Sequence, residues 1–593
     1  MVEERTWDLS NLVEDTSIEG LTKDTELLLT RIQSAIDRLR DNQDGIKADR
    51  LAKHIIEIEA VIEGAFNIGG YSYCKYVSDT TAEGSQALLS IYSKCSSKWN
   101  ELLTHGISRI LGNIILEQPS IIDAPEVQAY RHLMERASKY LPYILSPIEE
   151  EIISEKDANG ISAMSELYES WIGSHMIDVE IEGEMQSISA NKAFSLLMDE
   201  NRETRRAVSD AYYGSFARDR LLHVSALRAI CVDHIKMTKR RKWPSYMTQS
   251  LLDQDVDENS IDALLKTVET ESASYQKYIQ LKAKYFGQER LQGYDLRAPW
   301  LKKAVWNRNW SDMKTSVIQT YQQFDDEIGN FIDGLFKNRR VDSEDCPGRA
   351  STAFTFPVFP MKTSYVFFTY NGTLNDAYIV AHELGHSVHS YFTDTTQSVL
   401  NTNYSMCLYE TGSIFGELLF TEQLLKECTD DELKLEILAK VLDRFYQWVF
   451  HIGLYGLFEI GLFEFIQKGG YLDIEKTRDI WRENRYKIFG DSVEWSENLD
   501  YDWVRMGQLF YPNVRFYNYS YSFAQLVVFA FYDDYKENPS DFSERFKRFL
   551  SRGSSMSPKD QIAEMGHDIT KPDFWKIGIR RAESFLEDLR KLV

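Results

Sequence analysis

The chain has 593 residues, of which 43% are hydrophobic and 27% charged, a composition that excludes a disordered chain and a fibrous repeat. Asp and Glu number 91 against 67 Lys and Arg, so the formal net charge is −24. Because a protein this acidic repels phosphate backbones and anionic lipids, we expect neither nucleic acid nor a membrane as a partner.

The N-terminal residues and the cysteines both indicate a cytoplasmic protein. The chain begins MVEERTWDLS, with acidic side chains where a secretory signal needs a positive stretch followed by an apolar one. The six cysteines form no C-x-x-C pair and are too sparse for a disulfide scaffold. We therefore expect reduced thiols in the cytoplasm.

The first half of the chain has a helical pattern. Apolar residues recur every three or four positions in 21–42, in 51–66 and again in 251–286, with charged residues between them. The chain has only 13 prolines, which suits long helices. We predict a mainly α protein with an N-terminal helical domain over residues 1–190 and a second domain over residues 191–593.

A strand, a turn and a helix are predicted in the middle of the chain. Residues 364–370 are mostly β-branched or aromatic and lead into Asn371-Gly372, which is a turn signal. Asn375-Asp376 can then cap a helix that we predict over 377–392.

This predicted helix contains His382-Glu383-Leu384-Gly385-His386, which matches the pattern H-E-x-x-H. Residues four apart lie about one turn apart on one helical face, so both imidazoles can converge on a single zinc ion. Glu383 points to one side of that ion, where its carboxylate can take a proton from a zinc-activated water. The alternative is a pair of surface histidines on an amphipathic helix.

A catalytic zinc site needs a third protein ligand and one open position. His389 lies three residues beyond His386 and is turned about 60° further round the helix, which is a poor direction for a ligand. A carboxylate on a later helix is the usual third ligand. Glu410 and Glu417 are seven residues apart and share a face, so one can bind zinc while the other hydrogen-bonds a ligand imidazole. The ordinary role of such a pair of glutamates on a helix is solvated surface.

The most apolar window of the chain is 445–466, which is long enough to suggest a membrane span. It contains Glu459, Glu464 and His451, and a charged side chain in the middle of a bilayer costs several kcal/mol. We therefore predict a buried helix of a large α protein.

The segments HELGHSVHS (382–390) and ETGSIFGE (410–417) together resemble the oligoendopeptidase F branch of the thimet oligopeptidase family of zinc metallopeptidases. The resemblance implies one zinc ion per chain, with Glu410 as the third ligand and Glu417 as its supporting carboxylate. Gly412 stands where that family commonly has alanine.

Other segments extend this resemblance from about residue 110 onward, namely LKAK (281–284), YDLRAP (294–299), FYNYSYSF (516–523) and Phe574-Trp575. The implied fold is a large multi-helix metallopeptidase that encloses a deep substrate channel, with a small β-sheet next to the HExxH helix. Residues 191–593 are then the zinc metallopeptidase catalytic domain, in which residues 337–593 carry the zinc site and the aromatic substrate helix.

The resemblance also suggests substrate contacts. The strand that ends at Tyr370 resembles the family's edge strand, which pairs with bound peptide. We therefore predict that the peptide adds a strand to 365–370 and that Tyr370 and Gly372 bind substrate.

Tyrosines near residue 520 are candidate catalytic groups. Tyr517 and Tyr521 are four apart and share a helix face, whereas Tyr519 points elsewhere. A phenol can donate a hydrogen bond to a developing oxyanion, although core packing is the ordinary role of such residues. The resemblance favours Tyr517 and Tyr521 as catalytic, with Tyr519 and Tyr511 in reserve.

One departure from the family pattern concerns a histidine. Family members usually place a histidine shortly before this aromatic run, but this chain has none between His451 and His567. Gln508 or Tyr511 takes up that region, so stabilisation of the oxyanion is expected to be weaker or differently built.

Together these observations predict a zinc-dependent metalloendopeptidase that hydrolyses internal bonds of short unfolded peptides. His382, His386 and Glu410 hold the zinc, and Glu383 acts as general base and then acid. The alternatives are a catalytically weakened, zinc-bearing peptide-binding protein and a zinc carboxypeptidase or aminopeptidase. The oligomeric state is left open.

Overall fold

The computed structural model describes residues 5–101, 106–302, 305–511 and 514–593. Helices account for 72% of the structure, which confirms the prediction of a mainly α protein. The chain divides into two compact units, each of three stretches: Met1–Pro142, Trp306–Glu427 and Asp534–His567 in the first, and Tyr143–Val305, Cys428–Asp533 and Asp568–Val593 in the second. The domain division near residue 190 stays a prediction.

The first unit carries the predicted zinc ligands. Its helices within the described residues are α1 (Ile18–Asp41), α2 (Ala48–Ser78), α3 (Ser85–Glu101), α4 (Ile107–Glu117), α5 (Arg131–Tyr140), α14 (Trp310–Phe324), α15 (Asp326–Lys337), α16 (Leu374–Thr396), α17 (Met406–Tyr409), α18 (Thr411–Glu427), α23 (Pro539–Leu550) and α24 (Pro558–Glu564). The patterns at 21–42 and 51–66 therefore fall in α1 and α2, as predicted. Their apolar stripes meet in one core that includes Leu28, Ile32, Leu51 and Ile55, which explains the spacing of three and four.

A small sheet in this unit lies beside α16. Its strands are β4 (Val341–Asp342), β5 (Phe354–Val358) and β6 (Thr363–Phe367). They lie in the order β4-β6-β5, with β5 antiparallel and β4 parallel to β6. The prediction that the strand near residue 365 is an edge strand is therefore wrong, because β6 is hydrogen-bonded on both sides. β5 is an outer strand of this sheet.

A tight turn connects β6 to α16. Gly372 has a φ of 86°, which a residue with a side chain adopts only with strain. Thr373 then caps α16, because its hydroxyl accepts from the Asp376 N–H and the Asp376 carboxylate accepts from the Thr373 N–H. The helix thus begins earlier than the predicted Ala377, and its cap is Thr373 rather than Asn375 or Asp376.

The second unit holds the remaining elements of the described chain. Its helices are α6 (Pro147–Asn159), α7 (Ile161–Ser174), α8 (Ala190–Leu196), α9 (Arg202–Arg218), α10 (Arg220–Arg241), α11 (Thr248–Gln254), α12 (Glu258–Thr270), α13 (Ala273–Tyr285), α19 (Asp431–Tyr446), α20 (Ile452–Gln467), α21 (Ile474–Phe489), most of α22 (Tyr519–Glu537) and α25 (Pro572–Arg590). Its strands are the antiparallel pair β1 (Met176–Ile181) and β2 (Glu184–Ser189), and the short parallel pair β3 (Leu291–Gln292) and β7 (Val493–Glu494). The helical pattern at 251–286 corresponds to α11, α12 and α13.

The apolar window at 445–466 lies in a continuous helical stretch, Asp431–Gln467, which by length and composition alone could cross a membrane. The most apolar part of that stretch is 72% buried inside the structure, as the prediction of a buried helix requires. Glu459 is buried there with Arg515, at an Oε1–Nη1 distance of 3.6 Å, and accepts a hydrogen bond from the Phe516 N–H. A buried carboxylate with such partners suits a protein interior.

Candidate metal centre and active site

Two histidines and one glutamate converge in the first unit. His382 and His386 lie one turn apart on α16, and Glu410 lies between α17 and α18. The Nε2 atoms of His382 and His386 are 3.3 and 3.5 Å from Oε2 of Glu410. Among the described residues these three side chains form a group whose ligand atoms all lie within 4.8 Å of one another.

This group fits a zinc ion. Ligand bonds of 2.0–2.1 Å at tetrahedral angles place the ligand atoms about 3.3–3.4 Å apart. The two measured N–O distances agree with that spacing. Two imidazoles and one carboxylate are also the donor set of catalytic zinc sites that keep one position open.

Glu417 fixes the orientation of His382. Its Oε1 accepts a hydrogen bond of 2.6 Å from Nδ1 of that ring. Because Nδ1 then carries the proton, the lone pair of Nε2 is directed at the shared position. The two glutamates thus have different positions. Glu410 faces the Nε2 atoms of both imidazoles, whereas Glu417 contacts Nδ1 of the His382 ring.

Glycines allow α16 and α18 to approach each other closely enough for these contacts. A Cβ atom on Gly385 would lie 2.4 Å from the carbonyl oxygen of Gly412, and one on Gly412 would lie 2.5 Å from that of Gly385. Main chain therefore packs directly on main chain at this crossing. The glycine at position 412, noted above as a departure from the family pattern, is part of this contact.

Tyr321 on α14 holds the same crossing from the side. Its hydroxyl donates to the main-chain oxygen of Ala381 at 2.7 Å. A Cβ atom on Gly416 would lie only 2.1 Å from that hydroxyl. The phenol thus reaches the residue before His382 because α18 has no side chain at Gly416.

Ser413 positions the predicted third ligand. Its buried hydroxyl lies 2.8 Å from Oε2 of Glu410 and 2.9 Å from that residue's main-chain oxygen. Because the carboxylate accepts this bond, its rotamer is restricted. Ser413 lies in the first turn of α18, three residues after Glu410, so the turn itself brings the hydroxyl to the carboxylate.

Glu383 lies beside the three ligands and is buried. The hydroxyl of Thr355 on β5 donates to the main-chain oxygen of Glu383 at 2.6 Å and lies 3.2 Å from Oε2. Burial raises the pKa of Glu383 to about 7. A divalent cation bound by His382 and His386 would favour the ionised form.

His389 has a different environment. Its ring stacks on that of Tyr404, with centroids 4.2 Å apart, and burial lowers its pKa to about 3. It does not belong to the candidate metal group of the described residues. This agrees with the sequence analysis, in which the position of His389 on the helix gives its side chain a poor direction for a ligand.

Tyr370 uses its polar groups within the first unit. Its N–H donates to the oxygen of Ser343, its hydroxyl donates to the oxygen of Arg308, and its carbonyl accepts from Arg5. Gly372 serves the turn before α16. Substrate contacts by Tyr370 and Gly372 stay a prediction.

The candidate tyrosines belong to the second unit. The rings of Tyr517 and Tyr521 are edge to face with centroids 5.5 Å apart, but Tyr517 lies in the turn before α22, so the prediction that both lie on one helix is wrong. Tyr519 is buried with its hydroxyl 3.0 Å from that of Ser250, which makes it a core residue, whereas Tyr511 is 38% exposed. The catalytic role of these tyrosines stays a prediction.

Sequence reasoning missed two supporting residues. Ser413 was visible within ETGSIFGE, but nothing in the spacing distinguished it from a surface serine. Thr355 lies 28 residues before Glu383, and no motif marks it. Only the pairing of β5 with β6 brings it to α16.

A mainly α fold, with HExxH on a helix and a glutamate placed directly before a later helix, defines a class of metallopeptidases. The chain belongs to Peptidase family M3, whose family model matches residues 195–581. The resemblance to oligoendopeptidase F is confirmed, and the chain is a metalloendopeptidase of this family.

Curated relatives support this assignment along the whole chain. An oligoendopeptidase F homolog from Lactococcus lactis subsp. lactis (strain IL1403) is 25% identical over 615 residues, covering 100% of this chain and 98% of its own. Oligopeptidase PepF from Bacillus subtilis (strain 168) is 25% identical over 479 residues, covering 80% of this chain and 71% of its own.

Solved structures share the fold. A crystal structure from Chlamydophila abortus matches with a TM-score of 0.85 at 19% identity, covering 100% of this chain and 99% of that one. Oligoendopeptidase-F from Enterococcus faecium matches with a TM-score of 0.70 at 20% identity, covering 96% of this chain and 99% of that one. The predicted multi-helix fold with small sheets is therefore confirmed.

Proposed function

We propose that this protein is a zinc endopeptidase that hydrolyses internal peptide bonds of short, unfolded peptides. The observation that carries the proposal is the convergence of the Nε2 atoms of His382 and His386 on Oε2 of Glu410, at 3.3 and 3.5 Å. Glu383 lies on the same helix, next in sequence to His382. Family membership and the names of the relatives support peptides as the substrates.

His382, His386 and Glu410 would hold one zinc ion per chain. When bound, zinc supplies a Lewis acid that polarises a carbonyl and lowers the pKa of water. Glu417 keeps the proton of His382 on Nδ1, and Ser413 restrains Glu410. The ligands are thus oriented before substrate arrives, which reduces reorganisation during the reaction.

Glu383 would carry the proton transfers. Its carboxylate accepts the proton of the attacking water and then delivers it to the nitrogen of the departing amine. Burial favours its protonated form, so that the carboxyl can hold the proton between these two steps. The hydroxyl of Thr355, on β5, holds Glu383 in place through its hydrogen bond to the main-chain oxygen of that residue. Tyr517 and Tyr521 remain the proposed donors to the oxyanion.

The outer strand β5 is the proposed site of peptide pairing, in place of β6. Thr355 of this strand contacts Glu383, so a peptide paired along β5 runs close to the proposed base. Main-chain pairing recognises an extended segment with little dependence on its sequence. Short unfolded peptides offer such a segment along their whole length, which supports them as substrates.

We also propose a cytoplasmic location and no nucleic-acid partner. The six cysteines are free, and four of them are buried, as in a reducing compartment. The net charge of −24 disfavours binding to polyanions.

The test uses purified protein and internally quenched fluorescent peptides, with and without a metal chelator. We expect cleavage that the chelator abolishes and added zinc restores, and mass spectrometry should locate the cuts inside the peptides. Cuts confined to one end would indicate a carboxypeptidase or aminopeptidase instead. Peptide binding without any cleavage would indicate the weakened, peptide-binding alternative that the missing histidine suggests.

A further inference from the structure

A partly exposed arginine lines a small pocket in the second unit, which is not the unit that carries the zinc ligands. Arg297 lies on this pocket together with Tyr213, Tyr294, His451, Trp495 and Asp502. We call it the Arg297 pocket. The Nη2 atom of Arg297 is buried and has no hydrogen-bond partner among the described residues. The guanidinium lies 4.8 Å from the ring centre of Phe194, but a charged group with a buried N–H that has no acceptor is costly.

The carboxylate of the pocket is already engaged by other groups. Asp502 accepts from Nε of Arg505 and from the hydroxyl of Tyr455, both at 2.8 Å, and its Oδ2 lies 3.4 Å from Nε2 of His451. Burial alone would raise the pKa of Asp502, but Arg505 and these hydrogen bonds hold it well below its usual range. Asp502 is therefore ionised, and its charge is balanced by Arg505 rather than by Arg297.

The surroundings add positive charge. Asp295, next to Tyr294, binds both Arg202 and Arg205, and Asp500 binds both Arg482 and Arg485. Each of these carboxylates is thus shared by two guanidinium groups, and Glu203 also acts on Arg202, as Asp479 and Glu497 do on Arg482.

Two of these cations stack on the pocket wall. Arg202 lies 5.3 Å from the ring centre of Tyr294, and Arg485 lies 4.5 Å from that of Trp495. Arginines are therefore concentrated around this pocket, in a chain whose net charge is −24.

The size of the pocket limits its occupant. Its volume is about 20 Å³, and one water needs about 10–15 Å³ on this measure. A halide or the carboxylate end of a small molecule suits a volume of this size. Histidine adds no charge here, because burial lowers the pKa of His451 to about 4.

We infer that the Arg297 pocket binds a small monovalent anion, a halide or a carboxylate, through the guanidinium group of Arg297. The anion would supply the counter-charge that the described residues do not. It would therefore stabilise the folded protein without any part in the zinc chemistry, so the inference is independent of the proposed function.

The test measures the melting temperature of the full chain in sodium bromide, sodium formate and sodium isethionate at equal ionic strength. Isethionate is a bulkier sulfonate and serves as the reference anion. We expect a saturable rise of about 2–4 °C in bromide, in formate or in both. A rise in bromide alone indicates an inorganic ion, and a rise in formate indicates a carboxylate.

Two variants separate specific binding from general salt effects. Arg297→Met should lose the rise and should be at least as stable as the wild type in isethionate, because a charged group with a buried N–H that has no acceptor is removed. Arg482→Met, which removes a guanidinium bound to Asp500, should keep the rise. An equal melting temperature of the wild type in all three salts, or an undiminished rise in Arg297→Met, would overturn the inference.

Crystallography with bromide gives a second test that requires no variant. Anomalous scattering from wild-type crystals grown in bromide should place an ion in contact with Arg297. If Arg297→Met fails to fold, this measurement decides, and the absence of an anomalous peak at Arg297 would overturn the inference.

Discussion

Glu383 is the residue whose chemistry can be tested most directly. Its carboxylate contacts Thr355 and does not belong to the candidate metal group. Glu383→Gln preserves size and removes the basic oxygen, so zinc should remain bound while turnover falls. We expect a loss of at least about 10²–10⁴-fold in kcat, measured on a quenched peptide, with zinc content from atomic absorption.

The matched control is Glu432→Gln, an exposed glutamate on α19, which should leave both measurements unchanged. Cleavage by Glu383→Gln at a near wild-type rate would show that another group is the base. Loss of zinc from this variant would instead make Glu383 part of the binding site.

A variant of Ser413 tests how much the restraint of Glu410 contributes to zinc affinity. Ser413→Ala removes the hydroxyl that lies 2.8 Å from Oε2 of Glu410 and so removes one restraint on the rotamer of that carboxylate. We expect zinc affinity to fall about 10–100-fold, measured by competition with a chelator of known affinity. Ser274→Ala is the control, because Ser274 is also buried and hydrogen-bonded, to Tyr446. Equal zinc affinity in the two variants would contradict the positioning role.

Asp394, near the end of α16, should make the free energy of unfolding depend on pH. Burial raises its pKa to about 7, with Lys362 as an opposing charge, whereas an unfolded Asp titrates near 3.9. The stability that the protonated carboxyl contributes is therefore fully present below about pH 4 and is lost as the pH rises through about 7. Asp394→Asn should remove this loss.

Urea unfolding at two pH values measures the effect. At pH 8 we expect Asp394→Asn to exceed the wild type by about 1–3 kcal/mol in free energy of unfolding. At pH 4 the two proteins should be similar. Asp491→Asn is the surface control, and a benefit of Asp394→Asn that is equal at both pH values would contradict the assignment.

At the scale of elements, the crossing of α16 and α18 decides the geometry of the metal centre. Gly385→Ala places a Cβ atom 2.4 Å from the oxygen of Gly412, so the helices must separate. The distance from Glu410 and Glu417 to the histidines grows with that separation. We expect a loss of about 1–3 kcal/mol in unfolding free energy together with weaker zinc binding.

Gly334→Ala on α15 is the matched control for this substitution. Its added Cβ atom would have no neighbour closer than 4.0 Å, and alanine is the better helix former, so the variant should gain stability. If Gly385→Ala binds zinc as tightly as Gly334→Ala does, then the close crossing is not needed for the site.

The elements also explain which parts of the site the sequence reveals. His382, Glu383 and His386 share one helix, so their relation follows from helical geometry alone. Which of Glu410 and Glu417 binds the metal depends on how two helices pack. The spacing left this open, and the family resemblance decided in favour of Glu410. The outer position of β5 and the contact of Thr355 with Glu383 depend on strand pairing, which local spacing does not encode.

At the scale of the whole molecule, the same limit applies to the division of the chain. Each compact unit is assembled from three separate stretches. Sequence analysis divides the chain only into continuous domains, with each boundary between two consecutive segments. It recognises the helices, because their apolar periodicity is local, but it does not recognise that residues 534–567 belong to the first unit.

The net charge of −24 is a property of the whole molecule and predicts a preference among substrates. Cationic peptides should be attracted at long range, which raises kcat/KM through the rate of association. The attraction should fade with salt, because the Debye length falls from about 30 Å at 0.01 M to about 3 Å at 1 M. The measurement is kcat/KM for cationic, neutral and anionic peptides of equal length and equal cleavage site.

We expect the cationic peptide to be favoured by up to about 10-fold over the neutral one at low salt, and the anionic one to be disfavoured. The three values should converge at high salt. Sodium isethionate should provide the ionic strength, so that binding of a small anion at the Arg297 pocket does not change with salt. A preference that is independent of salt would place the selectivity in direct contacts with the peptide, and equal rates at low salt would show that the net charge does not steer the substrate.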